Sequence, residues 1–222
     1  MSQLNSSLEA QAKILGVDLF GVTHISNLEN HAGLIPKSIL NRYTYAVSIG
    51  YVIPSSILYN STKEVYHQFL ENSIIPTLNR TAIYLSRIIE KKNGKAFPVP
   101  AYNFIYDCDF PFYFHDLVAS YAGIGWLGKN NRLVNKLYGS RVQTTTILTD
   151  IELEISDVAE NLCNDCTICV DSCPEKALSG MPFHPQHNIS ERQNPEKCII
   201  MYGKNKISET CLKCINTCPY NK

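Results

Sequence analysis

Eight cysteines lie between residues 163 and 218, and their spacing suits binding of iron and sulfide better than disulfide pairing. The first run reads Cys163-Asn-Asp-Cys166-Thr-Ile-Cys169-Val-Asp-Ser-Cys173-Pro174, or C-x2-C-x2-C-x3-C-P. The second ends Cys211-Leu-Lys-Cys214-Ile-Asn-Thr-Cys218-Pro219, with its leading cysteine displaced upstream to Cys198. Thiolates are soft ligands, and four of them close a [4Fe–4S] cubane. In such runs three cysteines wrap one cluster and the fourth reaches the other. That rule predicts Cys163, Cys166, Cys169 and Cys218 on one cluster and Cys173, Cys198, Cys211 and Cys214 on the second. Zinc also uses C-x2-C pairs. It needs only two of them and leaves both C-x2-C-x3-C-P endings unexplained. Cys108 stands apart and reads as a buried or spare thiol.

A bacterial-ferredoxin-like tail carrying two clusters conducts electrons, so the residues before it should hold what receives them. The glycines Gly123-x-Gly125-x-x-Gly128 match a dinucleotide fingerprint, but they follow a helical stretch and lack an acidic residue in a βαβ setting. They read instead as a tight bend, or as a place where backbone approaches something flat and large. Trp126 can pack on a cofactor ring or on the cysteine tail. Lys129 can meet a cofactor phosphate or amide, or sit solvated on a turn. Ser140 and Arg141 are candidates for a cofactor's tail. Asp109, among Phe110, Phe112 and Phe114, is a candidate proton donor, since desolvation raises a carboxyl pKa; a helix cap is the plainer role. His115 can donate a proton or be a hydrogen-bonded core residue. Tyr102 and Tyr106 are pocket acids or core tyrosines.

The elements that must position these residues follow from periodicity. Leu4, Leu8, Ala12 and Leu15 recur at helical spacing, and Gly16 ends the helix. Residues 19–23 and 45–52 read as strands, and residues 36–42 as a short helix or turn. Residues 63–92 form the longest helical pattern, with Val65, Phe69, Leu78, Ile83, Leu85 and Ile88 as its apolar face and Pro76 as a kink. Residues 95–100 are extended, 115–122 helical, and 141–148 a strand rich in Thr and Val. The polar stretch 149–159 marks a junction. The expected architecture is α+β, with a body over 1–155 and a two-cluster, ferredoxin-like domain over 156–222.

The chain has 222 residues, with 20 basic and 20 acidic side chains, so no net charge draws it toward nucleic acid or an anionic membrane. It contains no apolar run long enough to span a bilayer. Its first residues lack the pattern of a secretory or twin-arginine signal. A cytoplasmic protein is expected, where cysteines bind metal more often than they form disulfides.

The segment Ala122-Gly-Ile-Gly-Trp-Leu-Gly-Lys129-Asn resembles the AGLGW-I-GK segment of epoxyqueuosine reductases. The resemblance continues through Gly139-Ser140-Arg141, Thr149-Asp150, the first cysteine run, Cys198-Ile-Ile-Met-Tyr202 and Cys218-Pro-Tyr-Asn221. It covers residues 105–222, and more loosely 14–52. It implies a cobalamin-binding, nitroreductase-like body fused to a double-cluster module, an arrangement shared with reductive dehalogenases. In those families the clusters reduce the corrinoid cobalt, and epoxyqueuosine reductases then deoxygenate a modified base in tRNA. The family's acidic catalytic position falls on Asp109, while its Glu-Arg pair is replaced by His115-Asp116.

The chain ends at Lys222, where relatives acting on tRNA carry further sequence. With zero net charge, this argues against tRNA and for a small-molecule or nucleoside-like substrate. Three readings follow. The first is a corrinoid-dependent reductase fed by a low-potential donor of ferredoxin or flavodoxin type. The second is an electron-transfer partner with no cofactor in its body. The third is a minimal tRNA epoxyqueuosine reductase.

Overall fold

The computed structural model describes residues 2–31, 37–102, 113–200 and 211–221. Helix α1 (Gln3–Ile14) starts at Ser2, whose hydroxyl accepts from Asn5 N, and it buries Leu8 and Ala12. Gly16, at φ +87°, turns the chain out of it into strand β1 (Leu19–His24). A 3-10 turn and the short helix α2 (Lys37–Leu40) lead to β2 (Tyr45–Val52). Helices α3 (Ser55–Tyr59), α4 (Lys63–Phe69) and α5 (Ile75–Glu90) follow, then β3 (Ala96–Val99) and α6 (Tyr113–Tyr121). A two-stranded hairpin, β4 (Trp126–Leu127) and β5 (Leu133–Val134), precedes the long strand β6 (Val142–Thr149).

The main sheet is antiparallel throughout, in the order β1-β2-β6-β3. Opposed pairs such as Val47↔Ile147 and Ala46↔Leu148 assign side chains to its two faces. One face carries Val22, Val47, Ile49 and Ile147 under α1 and α5. The other carries Ala46 and Leu148 under Leu117 and Val118 of α6. Every residue of β6 is buried, including four threonines. Their β-branched stems suit a central strand, and their hydroxyls are all engaged. Thr144 donates to Asp116 Oδ1, Thr145 to Val99 O and Thr149 to Lys95 O, while Thr146 bonds His115 Nδ1. Pro98 is tolerated because β3 is an edge strand.

The long helix expected over 63–92 runs from Lys63 to Glu90, with its irregularity just before Pro76. A π turn (Leu70–Ile74) lies between α4 and α5 within one continuous helix, and Pro76 follows it, where the wider turn accommodates the missing N–H. The wider turn rotates the apolar stripe. Val65, Phe69 and Ile83 are exposed, whereas Tyr66, Leu70, Ile74, Leu78, Ala82, Leu85 and Ile89 form the buried face.

Residues 150–167 contain neither helix nor strand. They run back along the body, held by Asn5 Nδ2 to Glu154 O at 2.8 Å and by Ser156 N to Val22 O at 2.9 Å. The cysteine segment then adds the short helices α7 (Ile168–Asp171), α8 (Ile189–Arg192) and α9 (Lys213–Asn216). Its Ala177, Leu178, Cys198, Cys214 and Ile215 join the same apolar cluster as α1 and α5. Among the described residues no helix is long and apolar enough to cross a membrane.

Candidate metal centres

Each cysteine run builds the same local unit: a turn, a four-residue helix and a Cys-Pro exit. In the first, Cys166 N donates to Cys163 O, and Cys169 lies within α7. In the second, Cys214 lies within α9. The two helices pack together, and Ser172 and Thr217, each just before the last cysteine of its run, share a hydrogen bond of 3.0 Å. This pairing exchanges the runs' ends. Cys218 lines one cavity with Cys163, Cys166 and Cys169; Cys173 lines a second with Cys198 and Cys211. Cys214 is buried beside Cys198 and Cys211 and also faces Cys169 across the seam between the sets.

All eight described cysteines are free thiols. Burial, reinforced by the neighbouring thiols, pushes Cys169 up to about 11 and Cys198 up to about 12, and raises Cys214 as well. Crowded, desolvated thiols of this kind become thiolates when a cationic group is bound among them. Among the described residues no three His, Cys, Asp or Glu side chains converge as ligands of a single ion. Instead, sulfurs line two separate cavities.

The glycine-turn segment seats this tail on the body. Gly123, at φ +76°, lies where a Cβ would run into Asp157 O, and a Cβ on Gly125 would run into Val134 O. The large partner approached at those two glycines is therefore this chain's own backbone. Gly128, Lys129 and Asn130 line the Cys163 cavity. Lys129, buried, donates through Nζ to Asn164 O at 2.7 Å, within the first cysteine run. Trp126 Nε1 donates to Cys163 Sγ at 3.2 Å, and its ring meets Tyr220 edge-on. On its other side Trp126 helps line a groove of about 560 Å³ with Gly123, Gly125 and Leu162. Ser140 N donates to Asn221 Oδ1 at 2.8 Å, while Arg141 turns to the body, donating to Ile53 O and lying over the Tyr138 ring. Gly139, at φ +60°, leaves the space that Asn221 occupies.

His115 lies fully inside the body. Its Nε2 donates to Pro100 O at 2.8 Å and its Nδ1 bonds the Thr146 hydroxyl at 3.0 Å. Burial lowers its pKa to about 4, so the ring is neutral with both nitrogens engaged, a setting that favours packing over proton transfer. Tyr102 is half-buried, which raises its pKa. Asp109, Tyr106 and Cys108 lie outside the described residues.

Several site residues carry no short-range signal in the sequence. Asp116, fully buried, accepts from Arg132 Nε at 2.7 Å and from Leu133 N at 3.2 Å. Asn130 Nδ2 donates to Cys214 O at 3.1 Å, and Asn131 Nδ2 to Gln193 Oε1 at 3.1 Å. Arg192 is also buried, with Nη2 donating to Gly128 O at 2.7 Å and its guanidinium over the Phe183 ring. The guanidinium and the adjacent Tyr113 hydroxyl, at the seam of body and tail, interact with one another. Two adjacent asparagines in a buried stretch were the available clue to Asn130 and Asn131; their partners, more than 60 residues away, were not visible.

Comparison with known proteins supports the resemblance read from the glycine turn and the cysteine runs. The epoxyqueuosine reductase of Lactococcus garvieae is 36% identical over 109 residues, which is 47% of this chain and 31% of that protein. Over about half of its length this chain is similar to the epoxyqueuosine reductases. The match spans about a third of the length of that curated relative. A crystal structure of epoxyqueuosine reductase with an epoxyqueuosine-modified tRNA stem loop superposes with a TM-score of 0.66 at 23% identity, covering 99% of this chain and 65% of that one. A reductive dehalogenase whose structure suggested a mechanism for B12-dependent dehalogenation superposes at 0.69 with 16% identity, covering 97% of this chain and 31% of that one. These likenesses establish a shared mixed helix-and-sheet fold. No family model matches the chain. The expectation that tRNA is not the substrate finds no support, because the neighbour solved with a tRNA stem loop is matched along nearly the whole chain.

Proposed function

We propose that this chain is an epoxyqueuosine reductase-like oxidoreductase, or the redox-active part of one, built to hold two [4Fe–4S] clusters. The observation that carries this reading is the sorting of the cysteines: the fourth cysteine of each run lines the other run's cavity. The ligand sets are Cys163, Cys166, Cys169 and Cys218, and Cys173, Cys198, Cys211 and Cys214. The tail over 156–222 binds them, and the body over 1–155 receives their electrons.

Two further parts come from the relatives. A corrinoid held between body and tail would supply a redox-active cobalt for reductive chemistry on the substrate. Arg192 and Tyr113, buried side by side at that seam and interacting with one another, are polar side chains that the amide or phosphate oxygens of such a group could meet. Asp109, at the family's acidic position, would hold the proton that the reduction consumes. The substrate is epoxyqueuosine in tRNA or a nucleoside like it, and the donor is a low-potential ferredoxin or flavodoxin.

Anaerobically reconstituted protein should retain cobalamin through gel filtration, with its absorbance bands, and convert epoxyqueuosine in a tRNA stem loop to queuosine when given dithionite. Cluster-loaded protein that binds no corrinoid and forms no queuosine would overturn the enzymatic reading and favour a plain electron carrier.

A further inference from the structure

Among the described residues, a side-chain N–H reaches one sulfur in each cysteine set. Trp126 Nε1 donates to Cys163 Sγ at 3.2 Å, and Gln193 Nε2 donates to Cys198 Sγ at 2.8 Å. Both donor side chains are buried, at 4% and 2% exposure, so water does not compete for either bond. The Gln193 amide is held in one orientation. Asn131 Nδ2 donates to its Oε1 at 3.1 Å, which turns Nε2 toward the sulfur. Asn131 is itself placed by a left-handed turn, φ 56°, closed by its N–H to Gly128 O. Residues 126–131, a single hairpin loop of the body, therefore address both sets, directly through Trp126 and indirectly through Gln193.

We propose that Trp126 and Gln193 set the reduction potentials of the two clusters, with Asn131 acting as a positioning residue through Gln193; this rests on the two-cluster reading above. Reduction adds one electron, and its negative charge is shared with the cysteine sulfurs. An N–H aimed at such a sulfur stabilises the reduced form more than the oxidised form and raises the potential. A further bond of this kind, Ala177 N to Cys173 Sγ at 3.3 Å, is a backbone bond that side-chain replacement leaves in place.

The test is a dithionite titration of the cluster-loaded chain, followed by electron paramagnetic resonance, for wild type, Trp126→Phe, Gln193→Leu and Asn131→Gly. A hydrogen bond to a charged group contributes about 1.5 kcal/mol, close to tenfold in an equilibrium. Each of the first two variants should lower the reduced-to-oxidised ratio of one cluster at fixed potential by up to about tenfold, or about 59 mV for a one-electron couple. The two variants should act on different clusters. Asn131→Gly preserves the left-handed turn and should move the same cluster as Gln193→Leu, by less. If Trp126→Phe does not fold, the Gln193 and Asn131 variants decide the matter. Variants with full iron content and unmoved potentials, or single variants that move both clusters equally, overturn the inference alone. A chain that takes up no iron and sulfide overturns it together with the two-cluster reading.

Discussion

Replacing Asp116 with asparagine should be among the most damaging isosteric changes in the body. The carboxylate is fully buried and accepts from Arg132 Nε at 2.7 Å, Leu133 N at 3.2 Å and Thr144 Oγ1 at 3.1 Å. An amide has the same shape, and the Thr144 hydroxyl can rotate to accept from it, so the change removes little but charge. Arg132, whose side chain is 11% exposed, then loses the carboxylate charge its Nε is bonded to. Breaking a buried pair in this way costs roughly 3–5 kcal/mol. For a chain of this size each kcal/mol lowers Tm by about 2–4 °C, so the expected drop is about 6–20 °C. The same pair anchors β5, the return strand of the hairpin whose loop carries Lys129 and Asn131, so the variant should also lose iron faster. Anaerobic calorimetry at matched scan rate reads the first effect. The double variant Asp116→Leu with Arg132→Met should cost less than Asp116→Asn alone, because no charge is stranded. A single variant within about 1 kcal/mol of wild type, or a double variant worse than the single, would refute the reasoning.

Other residues give independent checks. His115 has a folded pKa of about 4 against an ordinary value of 6.5, so its contribution is complete above the unfolded value and is lost as pH falls from 6.5 toward 4. That window amounts to about 3 kcal/mol, and Tm measured from pH 7 to 5 should fall less steeply in His115→Gln than in wild type. Gly139→Ala forces a side chain into a left-handed position already filled by Asn221; proteolysis should then cut the C-terminal segment faster, by an opening cost reduced about 1 kcal/mol or more. Cys198→Ala should halve iron content while leaving the other cluster's resonance signal intact. Lys129→Met removes a buried bond to Asn164 O and should lower iron retention without changing the number of clusters bound.

Local pattern made much of the body legible. The apolar run over 45–52 is β2 to the residue, and Leu8 and Ala12 do form the buried face of α1. Strand 141–148 was visible because threonine and valine suit a central strand, yet the hydroxyl partners that permit four buried threonines lie on α6, on β3 and at Lys95. The stripe on α4 and α5 was misread because a π turn shifts the helical phase, and nothing in residues 70–74 announces it. The sheet order β1-β2-β6-β3 was not legible either, since β2 pairs with a strand 90 to 104 residues downstream. At the site, cysteine spacing anticipated which cysteines line a common cavity. The glycine turn was expected to meet something large and flat, and it meets the tail's own backbone and first cysteine run. Gln193, Asn131 and Asp116 could be found only from long-range contacts.

The central claim, two cubanes held by exchanged cysteine runs, is tested most directly by iron and acid-labile sulfide per chain after anaerobic purification. The account predicts about eight of each, falling to about four in Cys198→Ala. One or two zinc ions per chain with no sulfide would contradict it.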